Sequence, residues 1–451
     1  MKLKSTKFPP RILFILLVLF SPLFAQEIQL NIQKTVLDNG LTILAYEDTT
    51  SEVVSYCTFV NAGSRDEVKP GTTGLAHVFE HMMFRGTEKY PDFDQAISDF
   101  GPQNNASTGN DYTMYFVNVK KDYLPQIIEI ESDRIRNLRF DNQTFRTELG
   151  PIKEERRRFD VDSPDGFLYS QLYQLAYQKH TYHHPVVGFE EDLEKNIQIQ
   201  DGLDFKNRFY SPAYCTIVTA GNFKTGQVLE LMKKYYGDWA KTPFPDIKIP
   251  PEPEQAEERV SNLVWKDNQI TPRILIAYHG PRLNVNNDDF LALKLIEKIL
   301  FLRSGRLTKK VYKDLQLVES MDGSMNENKD PGLFVISATL SQDAFAKRGE
   351  SIDKVKGIIL DEIEKIKNEP VSESELKKAK NSIKADRFYR MDRPSSIAYA
   401  IGHYQLLAGD YHILSEIDKE FERITPQIIQ KAAQKAFVST NRTVITLVPK
   451  S

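Results

Sequence analysis

The chain has 451 residues, which is more than one ordinary hydrophobic core holds, so its length predicts at least two domains. It is 41% hydrophobic and 27% charged, as in a globular protein, and its formal net charge is −3. Such a near-neutral balance gives no support to a nucleic-acid partner, because a nucleic-acid-binding face would be basic.

The first 25 residues differ from the rest of the chain. Basic residues precede an apolar run at 12–20, and Ala25 offers a small residue for cleavage. This order predicts a signal peptide over residues 1–25 and a mature protein that is periplasmic or secreted. An uncleaved membrane anchor is the alternative, but the apolar run is shorter than the roughly 18 residues that a spanning helix needs.

The first half of the chain alternates strand and helix patterns. Two β-rich runs lie within residues 37–60, and Asn39 and Gly40 open the first of them with a hairpin signal. A polar loop over 62–73 leads to the stretch 74–84. The other elements expected here are helices over 93–100, 123–138, 165–178 and 226–239 and strands over 112–119 and 214–220.

Residues 241–257 contain five prolines and several charges without periodicity, which predicts a linker between a domain over 27–240 and another over 258–451. Beyond the linker the order of elements repeats in outline. The predicted fold is therefore α+β, with two homologous domains of layered sheet and helices. The expected strands are 260–266, 273–279, 317–324, 332–340 and 442–448, and the expected helices are 287–300, 304–315, 350–367, 372–391, 411–422 and 426–437.

Cys57 and Cys215 are the two cysteines of the chain, and both stand in apolar, strand-like surroundings. Two cysteines are too few for a disulfide framework. We expect two buried thiols that behave as small hydrophobic residues, and a single bridge between them is left open.

The stretch 74–84 carries the chemistry. His77, Glu80 and His81 stand at i, i+3 and i+4, so a helix would place all three on one face and apolar residues on the other. Two imidazoles one turn apart can hold Zn²⁺, and the carboxylate between them can act as a general base on water. His-x-x-Glu-His is the reverse of His-Glu-x-x-His and is an inverzincin signature. A helix with ordinary surface or core histidines is the alternative, which the Gly-rich loop before the motif disfavours.

Eight short motifs, in order and spacing, resemble those of the pitrilysin/insulysin family of zinc metallopeptidases, over almost all of the mature sequence. They lie at 38–41, 62–67, 74–87, 105–108, 154–156, 184–188, 209–212 and 304–307. The resemblance implies a zinc-dependent endopeptidase that hydrolyses peptides or unfolded polypeptides. It also implies half of a four-domain clamshell, because chains of this length resemble the members that dimerise.

The resemblance further implies one Zn²⁺ per chain, with Glu155 as the third ligand and Glu148 as a residue that supports the site. Glu154 is the alternative third ligand. Gly150 and Pro151 depart from the family pattern. A proline inside a helix removes a hydrogen bond, so we expect a kink here or a helix that restarts with Pro151 at its first position.

Asn105 and Ala106 match the family's substrate-binding edge, where a peptide adds as an extra strand. A simple turn residue is the alternative for Asn105. The family's arginine and tyrosine, which stabilise the developing oxyanion, are replaced by Tyr312 and Glu319. We therefore expect a homologous partner subunit to supply that pair in a heterodimer, with a homodimer as the alternative.

The sequence is also compatible with two other functions. One is a family member that serves mainly as a non-catalytic structural or assembly subunit. The other is a metallohydrolase that acts on a different class of substrate.

Overall fold

The structure is a computed structural model that describes residues 30–242 and 247–450, so the predicted signal peptide lies outside the described residues. The strands are β1 (Ile32–Val36), β2 (Thr42–Glu47), β3 (Val53–Val60), β4 (Gln103–Thr108), β5 (Thr113–Lys120), β6 (Cys215–Gly221), β7 (Arg259–Val264), β8 (Arg273–His279), β9 (Val318–Met325), β10 (Leu333–Leu340) and β11 (Arg442–Val448).

The helices lie between these strands, singly or in consecutive groups. They are α1 (Leu75–Met82), α2 (Phe93–Ser98), α3 (Leu124–Asn137), α4 (Asn142–Arg156), α5 (Pro164–Ala176), α6 (Ile199–Phe209), α7 (Thr225–Tyr236), α8 (Asp288–Phe301), α9 (Ile352–Asn368), α10 (Glu373–Arg390), α11 (Pro394–Ala408), α12 (Ile413–Glu422) and α13 (Pro426–Ala436). Within the described ranges, none of them has the length and apolar content that a membrane crossing requires.

The two sheets share one topology except for β1, which has no counterpart in the second sheet. The first has the order β1-β2-β6-β3-β5-β4 and the second β7-β11-β8-β10-β9. In each, one pair is parallel, β2 with β6 and β7 with β11, and the following pairs are antiparallel. The edge strand β4 thus corresponds to β9. This agreement confirms the predicted pair of homologous α+β domains.

The predicted hairpin at Asn39 and Gly40 joins β1 to β2. Gly40 has φ +93°, which a residue with a side chain rarely adopts, and the Leu37 N–H donates to the Leu41 carbonyl at 2.9 Å. The Asn39 amide donates to the carbonyls of Tyr236 and Trp239 at 2.7 and 3.1 Å. The turn therefore also fixes the end of α7 against the first sheet.

The two halves exchange one helix each. α11, from the second half, buries Ile397 and Ile401 against one face of the first sheet, which contributes Leu44 and Phe59. α5, from the first half, packs in the same way against β8 and β11 of the second sheet. Each sheet is built only from strands on one side of the Pro-rich segment, whereas α5 and α11 pack on the sheet of the other half.

The turns that follow the two edge strands meet between the sheets. Lys329 Nζ donates to the Asp111 carbonyl at 2.7 Å, and the Tyr182 hydroxyl donates to the Asp111 carboxylate at 2.7 Å. Asp330 pairs with Arg65 and lies 3.0 Å from His180 Nε2. These largely buried contacts fix the two sheets relative to each other beside the candidate site.

Several predictions needed correction. β1, β4, α6 and α11 form where the sequence suggested no separate element, and the predicted helix over 304–315 is mainly a run of π-helical turns, Thr308–Asp314. The cysteines are buried and free as expected, and burial raises the pKa of Cys57 to about 12. Cys57 lies on the α11 side of the first sheet and Cys215 on the opposite side, so the two thiols do not face each other.

Candidate metal centre

Helix α1 begins at a tightly packed glycine. Gly74 has φ +96°, and a Cβ built on it would lie 2.6 Å from the Val187 carbonyl oxygen. The buried Glu67 carboxylate accepts the N–H groups of Gly74 and Ala76, both at 2.7 Å. Burial raises the pKa of Glu67 well above its ordinary value, although both hydrogen bonds oppose that rise. A carboxylate at a helix N-terminus satisfies free N–H groups and so fixes the start of α1.

Helices α1 and α4 bring three predicted ligands together. Glu155 Oε2 lies 3.6 Å from His77 Nε2 and 3.3 Å from His81 Nε2. The two imidazole rings are 4.8 Å apart and nearly perpendicular. Within the described parts of the chain, these residues are the one group of three His, Cys, Asp or Glu side chains whose ligand atoms all lie within 4.8 Å of one another.

This donor set fits Zn²⁺. Ligand atoms about 2.0–2.1 Å from a tetrahedral zinc ion are roughly 3.3–3.5 Å from each other, close to the distances from Glu155 to both histidines. Two imidazole nitrogens and one carboxylate oxygen leave a fourth position open, as in hydrolytic zinc sites.

The histidines differ in electrostatic environment. Burial, with a smaller contribution from the neighbouring His81, lowers the pKa of His77 to about 4, so His77 is a neutral imidazole at pH 7. Burial also lowers the pKa of His81, but the hydrogen bond and charge of Glu148 and the charge of Glu155 outweigh that effect and raise it overall. Imidazoles bind metals in the neutral form, so His77 is already in its ligating state.

Glu148 supports His81 from the other side of the ring. Its Oε1 lies 3.1 Å from His81 Nδ1, and its Oε2 accepts from Arg85. Burial raises the pKa of Glu148, but the bonds from His81 and Arg85 outweigh burial and lower it overall. A carboxylate on Nδ1 fixes the tautomer whose Nε2 is free for a metal.

Helix α4 runs without interruption through Pro151, so the expected restart at that residue is wrong. Glu148 and Glu155 are two turns apart and share the face that looks toward α1. Pro151 is exposed, so its missing hydrogen bond lies on the solvent side, and buried residues such as Phe145 and Ile152 hold the helix from the other side. The alternative ligand Glu154 is 70% exposed and pairs with Arg157 at 3.0 Å, away from the histidines.

Glu80 faces the same cleft as the three ligands. The Thr108 hydroxyl donates to Glu80 Oε2 at 2.5 Å. Burial raises the pKa of Glu80 above its ordinary value, opposed by hydrogen bonds from the side chain and the backbone N–H of Thr108. A partly buried carboxylate with one oxygen already hydrogen-bonded has its second oxygen left for a substrate or water.

Two cavities of about 610 and 620 Å³ meet at the centre, and both are lined by Glu80, Ala106 and Glu155. The edge strand β4 borders both. Asn105 Oδ1 accepts the Ala106 N–H at 2.9 Å, so that N–H points away from β5. The cleft therefore runs along a strand edge, which suits an extended peptide better than a compact small molecule.

The second domain repeats the i, i+3, i+4 spacing of His77, Glu80 and His81, but with different residue types. On α8, Lys294, Glu297 and Lys298 stand at i, i+3 and i+4, and the two ammonium groups lie 2.9 and 3.3 Å from the Glu297 carboxylate. The N–H of Met325, the last residue of β9, donates to Glu297 at 3.3 Å. Ion pairs thus stand in the second domain where the first has a candidate metal centre.

Tyr312 and Glu319, at the two positions where the sequence analysis expected an arginine and a tyrosine, are both exposed on the second domain. Neither is among the residues that line the two cavities at the centre.

Glu67, Arg85 and Thr108 are the functional candidates for which sequence reasoning proposed no role. All three stand inside motifs that carried the family resemblance, at 62–67, 74–87 and 105–108. Their positions in those motifs were a signal, but only the fold shows that they contact the N-terminus of α1, Glu148 and Glu80.

Comparison with known proteins links both halves to one group of peptidases. Residues 42–189 match the family described as insulinase (peptidase family M16), and residues 196–383 match the peptidase M16 inactive domain. The zinc protease PqqE of Helicobacter pylori is 26% identical over 444 residues, covering 96% of this chain and 97% of that protein. The probable mitochondrial-processing peptidase subunit beta of Arabidopsis thaliana is 24% identical, over 89% of this chain and 75% of that protein.

Among solved structures, the crystal structure of a protease from Helicobacter pylori superposes with a TM-score of 0.86 at 25% identity. The match covers 93% of this chain and 100% of that one.

Proposed function

We propose, on the premise that this chain belongs to the insulinase family of peptidases (family M16), that it is the zinc-binding subunit of an endopeptidase. Its substrates would be peptides or unfolded polypeptides. One observation carries this proposal: His77, His81 and Glu155 converge beside Glu80 in a cleft that borders a free strand edge.

His77, His81 and Glu155 would hold the Zn²⁺ ion. When bound, the ion polarises the scissile carbonyl and lowers the pKa of a water molecule. Glu80 removes the proton from the attacking water and delivers it to the nitrogen of the leaving amine. Glu148 holds the His81 ring in place through Nδ1 while these proton transfers occur.

The substrate would add to β4 as an extra strand. The Ala106 N–H, held by the Asn105 side chain without substrate, is a backbone donor on the open side of the sheet. Backbone bonding of this kind recognises extended chains with little regard to side chain. It favours peptides and unfolded segments over folded proteins, which rarely offer a free extended strand.

A homologous partner subunit would complete the site. The positions expected to hold the arginine and tyrosine carry the exposed Tyr312 and Glu319. A carboxylate would oppose a developing oxyanion. One relative is itself named as a subunit of a processing peptidase, which supports a heterodimer. Full peptidase activity of the purified chain alone would contradict this part of the proposal.

The same missing pair favours a second candidate function, a subunit that binds zinc and peptide but contributes mainly to assembly. Zinc analysis combined with a peptide assay, with and without proteins that copurify with the native chain, separates the two. A cleaved signal peptide over residues 1–25 would direct either form to a periplasm or out of the cell.

The decisive test replaces Glu80 with glutamine. Glu80→Gln should abolish hydrolysis of a peptide library, because glutamine cannot accept the proton, while the chain retains one equivalent of zinc by atomic absorption. Glu154→Gln is a matched control, since it removes an exposed carboxylate from the neighbouring α4, and it should leave both quantities unchanged. Turnover by Glu80→Gln at the wild-type rate would refute the assignment of the base.

A further inference from the structure

We propose that Thr108 is a positioning residue for Glu80: its hydroxyl holds one carboxylate oxygen and keeps the carboxylate turned away from the metal ligands. This inference rests on the proposed function, because it concerns the base of the same site. It assigns a second task to β4, which would carry both the substrate and the group that orients the base.

The geometry around Thr108 is well defined. Its Oγ1 donates to Glu80 Oε2 at 2.5 Å, a short bond of the kind that a hydroxyl makes with a carboxylate. Thr108 is the last residue of β4 and is paired in register with Thr113 of β5. The buried Thr113 hydroxyl donates to the Ala62 carbonyl at 3.0 Å and lies 3.5 Å from Thr108 Oγ1. Thr108 is therefore held by the sheet rather than by a mobile loop.

This hydrogen bond matters because the Glu80 carboxylate could act either as a base or as a metal ligand. It precedes the ligand His81 directly in sequence and shares a cavity wall with the ligand Glu155. A carboxylate this close to a metal centre can become a further ligand, which would occupy the position that water needs. A hydrogen bond to Oε2 biases Glu80 toward the orientation in which it serves as a base.

The second domain gives an internal comparison. Glu80 and the equivalent Glu297 both accept a backbone N–H from the end of the edge strand, from Thr108 and from Met325, the latter at 3.3 Å. Lysines on both sides also hold Glu297. No side-chain hydroxyl from the end of β9 takes part, since that residue is a methionine. The short hydroxyl contact thus occurs in the domain whose glutamate has chemistry to perform.

The test uses the full chain, with its partner if activity requires one, and three variants. Thr108→Val removes the hydroxyl at constant shape, and Thr108→Ser restores it. Thr219→Val is the control, because this buried threonine in β6 has a hydroxyl without a hydrogen-bond partner among the described residues. General-base catalysis contributes about 10²–10⁴-fold, so misplacing Glu80 should lower kcat about 10- to 100-fold in Thr108→Val. KM should stay within about twofold, and Thr108→Ser should recover most of the loss.

A second measurement does not depend on turnover. Each variant is loaded with Co²⁺ in place of zinc, and its visible absorption is compared with that of wild type. A Glu80 carboxylate that takes the position of water replaces a water oxygen with a carboxylate oxygen among the Co²⁺ ligands, so the visible spectrum of Thr108→Val should differ from that of wild type. Thr108→Ser and Thr219→Val should match wild type.

The outcomes separate this inference from the proposed function. Wild type that cleaves no peptide, alone or with its partner, would refute the proposed function, and the cobalt spectra would still decide the role of Thr108. Wild-type kcat or a wild-type cobalt spectrum in Thr108→Val overturns the inference. Equal losses in Thr108→Val and Thr108→Ser also overturn it, because they would show a structural effect of the position rather than an effect of the hydroxyl.

Discussion

Replacing Glu148 by glutamine should weaken zinc binding while leaving the chain folded. Glu148 is 4% exposed and accepts from two donors, His81 Nδ1 at 3.1 Å and the Arg85 side chain. Glutamine has nearly the same shape but only one acceptor oxygen, so its amide group must face one of these donors. Either the His81 ring loses its partner or Arg85 is repelled.

The magnitude follows from these contacts. A hydrogen bond to a charged group contributes about 1.5–3 kcal/mol, and each 1.4 kcal/mol changes an affinity about tenfold. The Arg85 side chain is 44% exposed, so water replaces much of what it loses. The effect should therefore fall mainly on the orientation of His81, and zinc affinity should drop about 10- to 100-fold.

Competition with a chromogenic zinc chelator measures this affinity, and circular dichroism checks the fold. Glu154→Gln, at an exposed position on the same helix, should keep the wild-type affinity. Affinity of Glu148→Gln within twofold of wild type would refute the role given to Glu148. An equal loss in Glu154→Gln would show a general effect of charge on α4.

Two further predictions concern stability. Gly74→Ala should lower the free energy of unfolding by about 2–5 kcal/mol, because alanine is strained at φ +96° and its Cβ would meet the Val187 carbonyl oxygen. Urea denaturation measures this change, and an unchanged free energy of unfolding would contradict the packing described for Gly74. Burial raises the pKa of Glu327, but the His403 bond and the Lys294 charge outweigh burial and lower it from 4.5 to about 2. The ionised Glu327 carboxylate therefore adds up to about 3 kcal/mol to the free energy of unfolding above pH 4.5, and this contribution is lost as the pH falls toward 2. The difference in the free energy of unfolding between wild type and Glu327→Gln should therefore become smaller as the pH falls from 4.5 to about 2.

The sequence predicted the parts of the fold that depend on local pattern. The His-x-x-Glu-His spacing placed its three side chains on one helical face, and the repeated order of strands and helices predicted two homologous domains. In both cases the hydrophobic periodicity agrees with the way the element is buried.

The elements that were missed depend on tertiary contacts. β4 reads Gln-Asn-Asn-Ala-Ser-Thr, a polar run with little strand propensity, and forms because it pairs with β5 along its length. α11 was not predicted, and it packs on a sheet that lies more than 170 residues earlier in the chain. No local sequence pattern predicts packing against a sheet so distant in the chain.

At Pro151 a local rule predicted an interruption that tertiary packing prevents. A proline inside α4 predicts a kink or a restart of the helix by local rules, but burial on one face of the helix and exposure of the proline on the other keep α4 one continuous helix. The positions of Glu148 and Glu155 relative to α1 therefore depended on packing, which the local rule does not include.

The exchange of α5 and α11 limits how this molecule can move. A hinge motion that swung the two sheets apart would pull each helix out of the apolar face that it covers and expose both faces to water. We therefore expect no hinge motion of the two sheets about the Pro-rich segment, and the chain should move as one rigid body. If a substrate has to be admitted by an opening movement, we expect that movement at the joint between this chain and the proposed partner subunit.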